Sequence, residues 1–383
     1  MRIAYVCSYY PWPPSFGGVE TIVRTVATKL AEKGYEIYVV STPFDVTTGK
    51  QVSNYGVEEK DGITIFKLRP GKIRIGYARF IKGLRKSIEK IDPDIVHAHN
   101  LHPHLFQLAL WKNNFRYKLV AELHYPAVEL DFLVQKFTMP FALLGLKNVS
   151  KKIDAFVAHT EIEKYWLESI GIASDKIAII RFPAIPSELL NYKTNIDIIG
   201  DVLYLGRIVP RKGVHMLIKA LSIVKQRIHD IKATIAGPAD LQYLDQLKRL
   251  VKELDLENNL TFLGPVEEGK KYQVIKSHKI LVIPSLKDYT PSVPLEAQAL
   301  GVPVIASRVG AIPEIVKDKE TGILVEPGNV LELAKAIEIL LTDNDLYHRY
   351  SRYAATFVSN FTLEKALALL EALYSNILTT TSV

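Results

Sequence analysis

Cysteine is almost absent from this sequence. One residue of 383, Cys7, carries a thiol, so no intramolecular disulfide can form and no cysteine-based zinc cluster can be built. Cys7 lies in the apolar run RIAYVCS at 2–8, which predicts a buried, inert thiol. Long apolar runs are missing too. The nearest approach, FLVQKFTMPFALLGL at 132–146, is interrupted by Gln135, Lys136 and Pro140, whereas a spanning helix needs roughly 18 apolar residues in a row. Only Arg2 precedes the first apolar stretch, and PWPP at 11–14 breaks it, so no secretory leader is expected and a cytoplasmic protein is the natural reading. The fingerprint G-x-G-x-x-G stands at no strand–helix turn, which argues against a dinucleotide-dependent oxidoreductase. Carboxylates are scarce in one place. Between 67 and 90, nine Lys and Arg residues face the single acid Glu89.

What is present describes a globular enzyme or binding protein. The chain is 48% hydrophobic and 23% charged, and 383 residues exceed one ordinary core and suit two domains. The net charge is +7 and the pI about 9.1. The basic stretch 67–90 also carries Ile73, Ile75, Tyr77, Phe80, Ile81, Leu84 and Ile88. It reads as a basic amphipathic helix, suited either to an anionic membrane surface or to an ordinary solvated face. Neither a helix-turn-helix nor an aromatic-basic platform is recognisable, so no nucleic-acid partner is expected.

Short apolar, β-rich runs recur with helical stretches between most of them. The first set is RIAYVCS (2–8), EIYVVS (36–41), ITIFKL (63–68), DIVHAH (94–99), KLVAEL (118–123), AFVAH (155–159) and KIAIIR (176–181). The second is DVLYLG (201–206), KATIAG (232–237), LTFLG (260–264), ILVIPS (280–285), PVIAS (303–307) and GILVEP (322–327). Strands buried on both faces read as unbroken apolar runs, and this alternation predicts an α/β protein with two doubly wound, Rossmann-like domains. The expected boundaries are 1–185 for the first domain, 186–197 for a polar, Pro-containing linker, and 198–345 for the second domain. Helices over 346–383 are expected to pack back on the first domain. Ligands bind outside the carboxyl ends of such strands, so the strand ends are the place to look for chemistry.

After the first strand, Gly17 and Gly18 precede a helix, where backbone can approach a phosphate. The fourth strand ends in His97, His99, His102 and His104. Four histidines invite a metal, but no acid stands among them and one loop is a poor tetrahedral frame, so no metal is expected. His124 closes the next strand and is either a structural residue or a catalytic one. The second set opens with LYLGRIVPRKG, placing Arg207, Arg211 and Lys212 beyond a strand end and Gly213 before a helix, where cations suit a diphosphate. In DYTPSVPLEAQALG (288–301), Pro291 and Pro294 delay a helix whose first turn, Val293 to Ala297, has free N–H groups. Its Glu296 and the preceding Asp288 are then aimed at one polar ligand.

Taken in order, FGGVE, DIVHAH, ELH, LGRIVPRKG, PSLKDYTPSVPLEAQALGVPVIAS and GAIPEIVKDKETGILVEPGN resemble the retaining nucleotide-sugar glycosyltransferases of family four, over nearly the whole chain. The resemblance implies the GT-B fold, two Rossmann-like domains facing a central cleft. It implies transfer of a hexosyl unit from a UDP- or GDP-linked sugar to a glycan or lipid-linked acceptor, with no cofactor and no tightly bound metal. By that resemblance Arg207 and Lys212 stabilise the departing diphosphate, and Glu296 holds the ribose. Asp288 contacts the transferred sugar and His124 lies beside it. Gly17 and Gly18 lie near the phosphates, and backbone from Ser292 through Val293 and Pro294 to Leu295 cradles the diphosphate. The chain departs from the family in three places: Asp288 stands where Glu is usual, IAGPAD (235–240) lacks a Gly-x-Gly, and RFPAIP replaces an Asn-Gly. Two alternatives share the nucleotide site: a nucleotide-sugar 2-epimerase and a non-catalytic nucleotide-sugar-binding protein. The basic stretch and the 132–146 segment make a peripheral contact with an anionic membrane surface a further expectation.

Overall fold

The computed structural model describes all residues except 13–17, 46–48, 76–77, 125–131, 193, 195 and 381–383, and describes only the backbone of 72–75, 78–79 and 132–139. The chain divides into two compact units, Met1–Phe182 with Ala366–Val383, and Pro183–Lys365.

The first unit is built on β1 (Arg2–Val6), β2 (Glu36–Ser41), β3 (Gly56–Lys60), β4 (Ile63–Lys67), β5 (Pro70–Ile75), β6 (Ala78–Ile81), β7 (Ile95–His99), β8 (Lys118–Glu122), β9 (Ala155–Ala158) and β10 (Ile177–Ile179). Eight of these form one sheet in the order β10-β9-β8-β7-β1-β2-β4-β3. It is parallel throughout except at β3, which runs antiparallel to β4. β1 carries no exposed residue after Arg2: Ile3, Ala4, Tyr5 and Val6 are all fully buried, as a central strand covered on both faces requires. The β3–β4 hairpin turns on Asp61 and Gly62, both at positive φ (53° and 74°), the backbone that an Asp-Gly turn supplies. β3 itself, GVEEK, is too polar to read as an apolar run. Cys7 is buried as expected, and burial pushes its thiol pKa up.

The basic stretch is not the amphipathic helix expected. β5 and β6 pair as a separate antiparallel hairpin, and only Leu84–Ile91 is helical. Leu84, Ile88 and Ile91 of that helix are buried in the core of the unit, so its apolar face is already occupied. The amphipathic pattern holds only over that short helix, and strand pairing claimed the preceding residues.

The second unit is built on β11 (Gly200–Leu205), β12 (Ala233–Ala236), β13 (Leu260–Gly264), β14 (His278–Ile283), β15 (Val304–Ser307) and β16 (Gly322–Val325). They form one sheet in the order β13-β12-β11-β14-β15-β16, every pair parallel. Both units are therefore α/β with doubly wound parallel sheets, as the alternation predicts. Successive strands run outward from β11 in one direction and from β14 in the other, so the order reverses between them.

Two boundaries differ from the expectation. The 186–197 segment is not a free tether: Leu189 is 2% exposed, and just before it Ile185 exchanges backbone hydrogen bonds with Phe361 and Leu363 (2.9 and 2.8 Å). The helix Asn344–Val358 belongs to the second unit, where Tyr350, Ala354 and Val358, spaced four apart, are buried. Only the chain from Ala366 onward joins the first unit. There Tyr374 is fully buried and its hydroxyl meets Tyr5 Oη at 3.0 Å and His97 Nδ1 at 2.6 Å. Among the described residues no helix is long and apolar enough to cross a membrane.

Candidate active site

A cavity of about 180 Å3 opens at the reversal point between β11 and β14, the place where open α/β sheets bind ligands. Its wall includes Gly206 after β11, Lys212, Ser285 after β14, Asp288, Ser292 and Val293. Two loops beyond the strand ends and the start of the helix Val293–Ala299 line it, and backbone contacts lock these loops to a third behind them.

The first loop, 207–213, leaves β11 through Gly206. Tyr204 donates its hydroxyl to the Arg207 carbonyl at 2.7 Å, and Pro210–Lys212 forms a single 3-10 turn. Gly213 has φ 68°, and a β-carbon there would lie 1.9 Å from the Pro284 carbonyl oxygen. Only glycine allows this turn to press against the end of β14. The second loop, 285–289, is stapled to the first where Leu286 and Lys287 donate their N–H groups to the Arg211 carbonyl (2.9 and 3.1 Å). The third, 308–311, supports it: Ala311 N–H donates to the Tyr289 carbonyl at 3.0 Å. A β-carbon on Gly310 (φ 52°) would lie 2.2 Å from the Asp288 carbonyl oxygen.

This packing joins two of the residues singled out from sequence. Lys212 Nζ lies 2.5 Å from Asp288 Oδ2, with side chains 15% and 9% exposed. Ser285 donates its hydroxyl to the same oxygen at 3.0 Å, and the Tyr289 N–H donates to Oδ1 at 3.0 Å. Burial pushes the Lys212 pKa down from its ordinary 10.5, and the Asp288 carboxylate opposes that shift. The site thus stores a desolvated cation whose strong partner among the described residues is one carboxylate beside it, an arrangement that an incoming anion can recruit.

Glu296 is not on the cavity wall. It sits one turn along the helix Val293–Ala299, is 6% exposed, and meets Lys271 Nζ at 2.9 Å through Oε1. Its Oε2 is buried without a hydrogen-bond partner among the described residues. Burial raises the Glu296 pKa above its ordinary 4.5, and Lys271 opposes this. In the same helix the N–H groups of Leu295 and Glu296 both donate to the Ser292 carbonyl (3.0 and 3.1 Å), and Pro294 has none. Of the stretch expected to cradle a diphosphate, Ser292 and Val293 are the cavity-facing donors. Arg207 is exposed beyond the strand end.

The remaining sequence candidates lie in the first unit. Gly17 falls outside the described residues, and Gly18 begins the helix Gly18–Glu32. His124 follows β8 at φ 53°. Its Nε2 lies 2.9 Å from Glu122 Oε1 and its Nδ1 lies 3.2 Å from His159 Nε2, so both ring nitrogens are engaged within its own unit. Of the four histidines in and just after β7, His102 pairs with Ser8 Oγ at 2.6 Å. His104 Nε2 pairs with the His99 carbonyl at 2.8 Å. Burial lowers these two rings to about 4 and about 3, so both are neutral. His97 and His99 face Glu122.

Sequence reading missed Ser285, Lys271, Glu122 and His159. Ser285 ends a strand already read as ILVIPS and was legible by position. Lys271 stands in an unremarkable polar stretch, and nothing but the packing of its helix beside Val293–Ala299 marks it.

Residues 199–357 match the family described as glycosyl transferases group 1, and residues 16–182 match glycosyltransferase family 4. An uncharacterized glycosyltransferase of Methanocaldococcus jannaschii is 25% identical, covering 92% of this chain and 95% of that protein. A phosphatidyl-myo-inositol mannosyltransferase of Mycobacterium leprae is 26% identical over 100% of this chain and 98% of that protein. Among solved structures, Anabaena HepE in complex with UDP is 20% identical and superposes with a TM-score of 0.76, covering 98% of this chain and 100% of that one.

Proposed function

The chain belongs to the family 4 glycosyltransferases of the GT-B fold, and from that premise we propose that it moves a hexosyl unit from a nucleotide-diphosphate sugar to a glycan or lipid-linked acceptor with retention of configuration. The observation that carries the reading is the buried Lys212–Asp288 pair on the wall of the reversal-point cavity. A donor diphosphate entering that cavity recruits the Lys212 ammonium, with Arg207 as a second cation. Release of Lys212 frees the Asp288 carboxylate to accept a hydrogen bond from a sugar hydroxyl.

In the transfer, the bond between the anomeric carbon and the diphosphate oxygen lengthens and breaks. The sugar gains oxocarbenium character and the leaving phosphate gains charge, which Lys212, Arg207 and the Ser292 and Val293 N–H groups offset in a site with little water. The acceptor oxygen bonds to the anomeric carbon on the face the phosphate leaves, and the phosphate takes the acceptor proton. By the family resemblance Glu296 is the residue for the ribose hydroxyls, and in the ligand-free structure it stands one helical turn from the cavity wall with Oε2 buried. The bound UDP of HepE supports a nucleotide donor for this chain, and the mycobacterial phosphatidyl-myo-inositol mannosyltransferase supports a lipid-linked acceptor. Exposed Phe141 and Leu144 (78% and 61%) on the helix Phe132–Val149 support peripheral contact there.

The test is a panel of UDP- and GDP-linked hexoses incubated with purified protein and lipid or glycan acceptors. Nucleotide release coupled to a new glycoside of the donor's anomeric configuration is expected. Epimerised sugar without any acceptor, or tight nucleotide binding without turnover, would replace this reading by the epimerase or the binding protein.

A further inference from the structure

We propose that Tyr204 is the positioning residue for the cation Arg207: its buried hydroxyl fixes the peptide from which the Arg207 side chain extends. The inference rests on the role proposed above for Arg207 at the leaving diphosphate, and it adds a residue that acts through Arg207.

Tyr204 is the last residue but one of β11. It is 1% exposed and forms part of the cavity wall. Its hydroxyl donates to the Arg207 carbonyl at 2.7 Å. Only Leu205 and Gly206 lie between donor and acceptor, so this one bond spans the turn that carries the chain from strand into cation loop. Burial pushes the Tyr204 pKa far above its ordinary 10, and the Asp288 carboxylate acts in the same direction. The hydroxyl therefore keeps its proton and stays a donor. A phenol packed in a strand is a rigid support, because its only freedom is two torsions that the core already fixes.

The other end of the same peptide is held from the opposite side. The Arg207 carbonyl and the Ile208 N–H belong to one planar unit. The Ile208 N–H donates to the Pro238 carbonyl at 2.8 Å, and the Asp240 N–H donates back to the Ile208 carbonyl at 3.0 Å. One residue earlier, the Gly206 N–H donates to the Ala236 carbonyl at 3.0 Å. A β-carbon on Gly237 (φ 135°) would lie 2.0 Å from the Gly206 carbonyl oxygen, so the two segments touch without slack. This is the IAGPAD loop that departs from the family's Gly-x-Gly. Its Asp240 is in turn fixed as the cap of the helix Leu241–Glu253, accepting from the Tyr243 N–H at 2.9 Å. With both ends bonded, the plane between Arg207 and Ile208 has one orientation, and the Arg207 side chain starts from one direction. Removing the Tyr204 hydroxyl leaves that plane held at the Pro238 end alone.

The experiment is a double-mutant cycle on the full chain. Titration calorimetry with UDP and GDP, and turnover on the nucleotide-sugar panel, are measured for wild type, Tyr204→Phe, Arg207→Ala and the pair. Tyr204→Phe should weaken nucleotide binding by roughly 3–10-fold, the scale of one net hydrogen bond, and should have no further effect once Arg207 is alanine. Tyr117→Phe removes a bond of the same kind and length in the first unit, from a buried tyrosine to the Leu108 carbonyl at 2.7 Å. It should leave affinity and turnover unchanged, and an equal loss there would make the effect one of general stability and overturn the proposal. Additive losses in the pair overturn it too, by making Tyr204 a direct contact to the nucleotide, and so does wild-type affinity in Tyr204→Phe. If Arg207→Ala binds and turns over like wild type, the proposal fails while nucleotide-sugar transfer stands. A wild type that binds neither nucleotide overturns the functional reading and the proposal together. Should Tyr204→Phe not fold, Gly237→Ala displaces the same segment from its other side and enters the cycle in its place with the same expectation.

Discussion

Replacing Lys212 by alanine separates the two things its ammonium does. In the ligand-free site it neutralises Asp288 at 2.5 Å. Removing one partner of a buried pair costs about 3–5 kcal/mol, because the other charge is left behind. Asp288 keeps the Ser285 hydroxyl and the Tyr289 N–H, so the loss should fall at the lower end, about 3 kcal/mol. At about 2–4 °C per kcal/mol for a unit of this size, the unfolding temperature should drop by roughly 6–12 °C. In the transition state Lys212 meets charge that develops on the leaving diphosphate. Loss of such a donor costs about 2.7–4 kcal/mol, or roughly 10²–10³ in kcat. Asp288→Asn, added to Lys212→Ala, removes the stranded carboxylate. The double variant should therefore regain most of the lost unfolding temperature and none of the lost turnover. Calorimetry and a coupled assay of nucleotide release read the two quantities. If the double variant recovers activity together with stability, Lys212 serves only to hold Asp288, and the role given to it in transfer is wrong.

Lys271→Met should destabilise by about 3–5 kcal/mol, since it strands the buried Glu296 carboxylate, and adding Glu296→Gln should restore most of that; an unfolding temperature unmoved by Lys271→Met would refute the pairing. Nucleotide affinity should fall on acidification earlier than an exposed carboxylate would dictate. The folded pKa of Glu296 is raised above 4.5 by burial, so its charged, ribose-binding form is lost as pH falls through that raised value. Titration calorimetry of UDP and GDP at neutral and mildly acidic pH tests this, and Glu296→Gln should bind more weakly with a flatter profile. Gly310→Ala should lower turnover and stability together, because the new β-carbon meets the Asp288 carbonyl oxygen at 2.2 Å in backbone that already disfavours a side chain; wild-type kinetics would show that the 308–311 loop does not position Asp288. Sedimentation with anionic liposomes should be salt-sensitive and reduced by Phe141→Ser with Leu144→Ser, and equal binding to neutral liposomes would leave a soluble acceptor as the better choice.

The sequence by itself determined the two sheets. Strands buried on both faces must be continuously apolar, and RIAYVCS, DIVHAH, DVLYLG and ILVIPS could satisfy no other arrangement with helices between them. It also determined the late helix start at Pro294, which obeys a backbone rule that needs no partner; the need for glycine at 213 and 310 comes from carbonyls that only the packed loops bring near. What only the tertiary structure decided were the pairings. β3 and the β5–β6 hairpin form from polar or basic residues whose periodicity is overridden by strand pairing with a neighbour. Lys212 and Asp288 stand 76 residues apart and meet because Gly213 lets one loop press against the strand that leads into the other. Lys271 reaches Glu296 only through helix packing. Glu122 and His159 join His99 and His124 because β7, β8 and β9 lie side by side in the sheet. Local sequence carries backbone preference and burial, whereas a charged or histidine-rich cluster depends on which strand ends become neighbours, and that is a property of the assembled sheet.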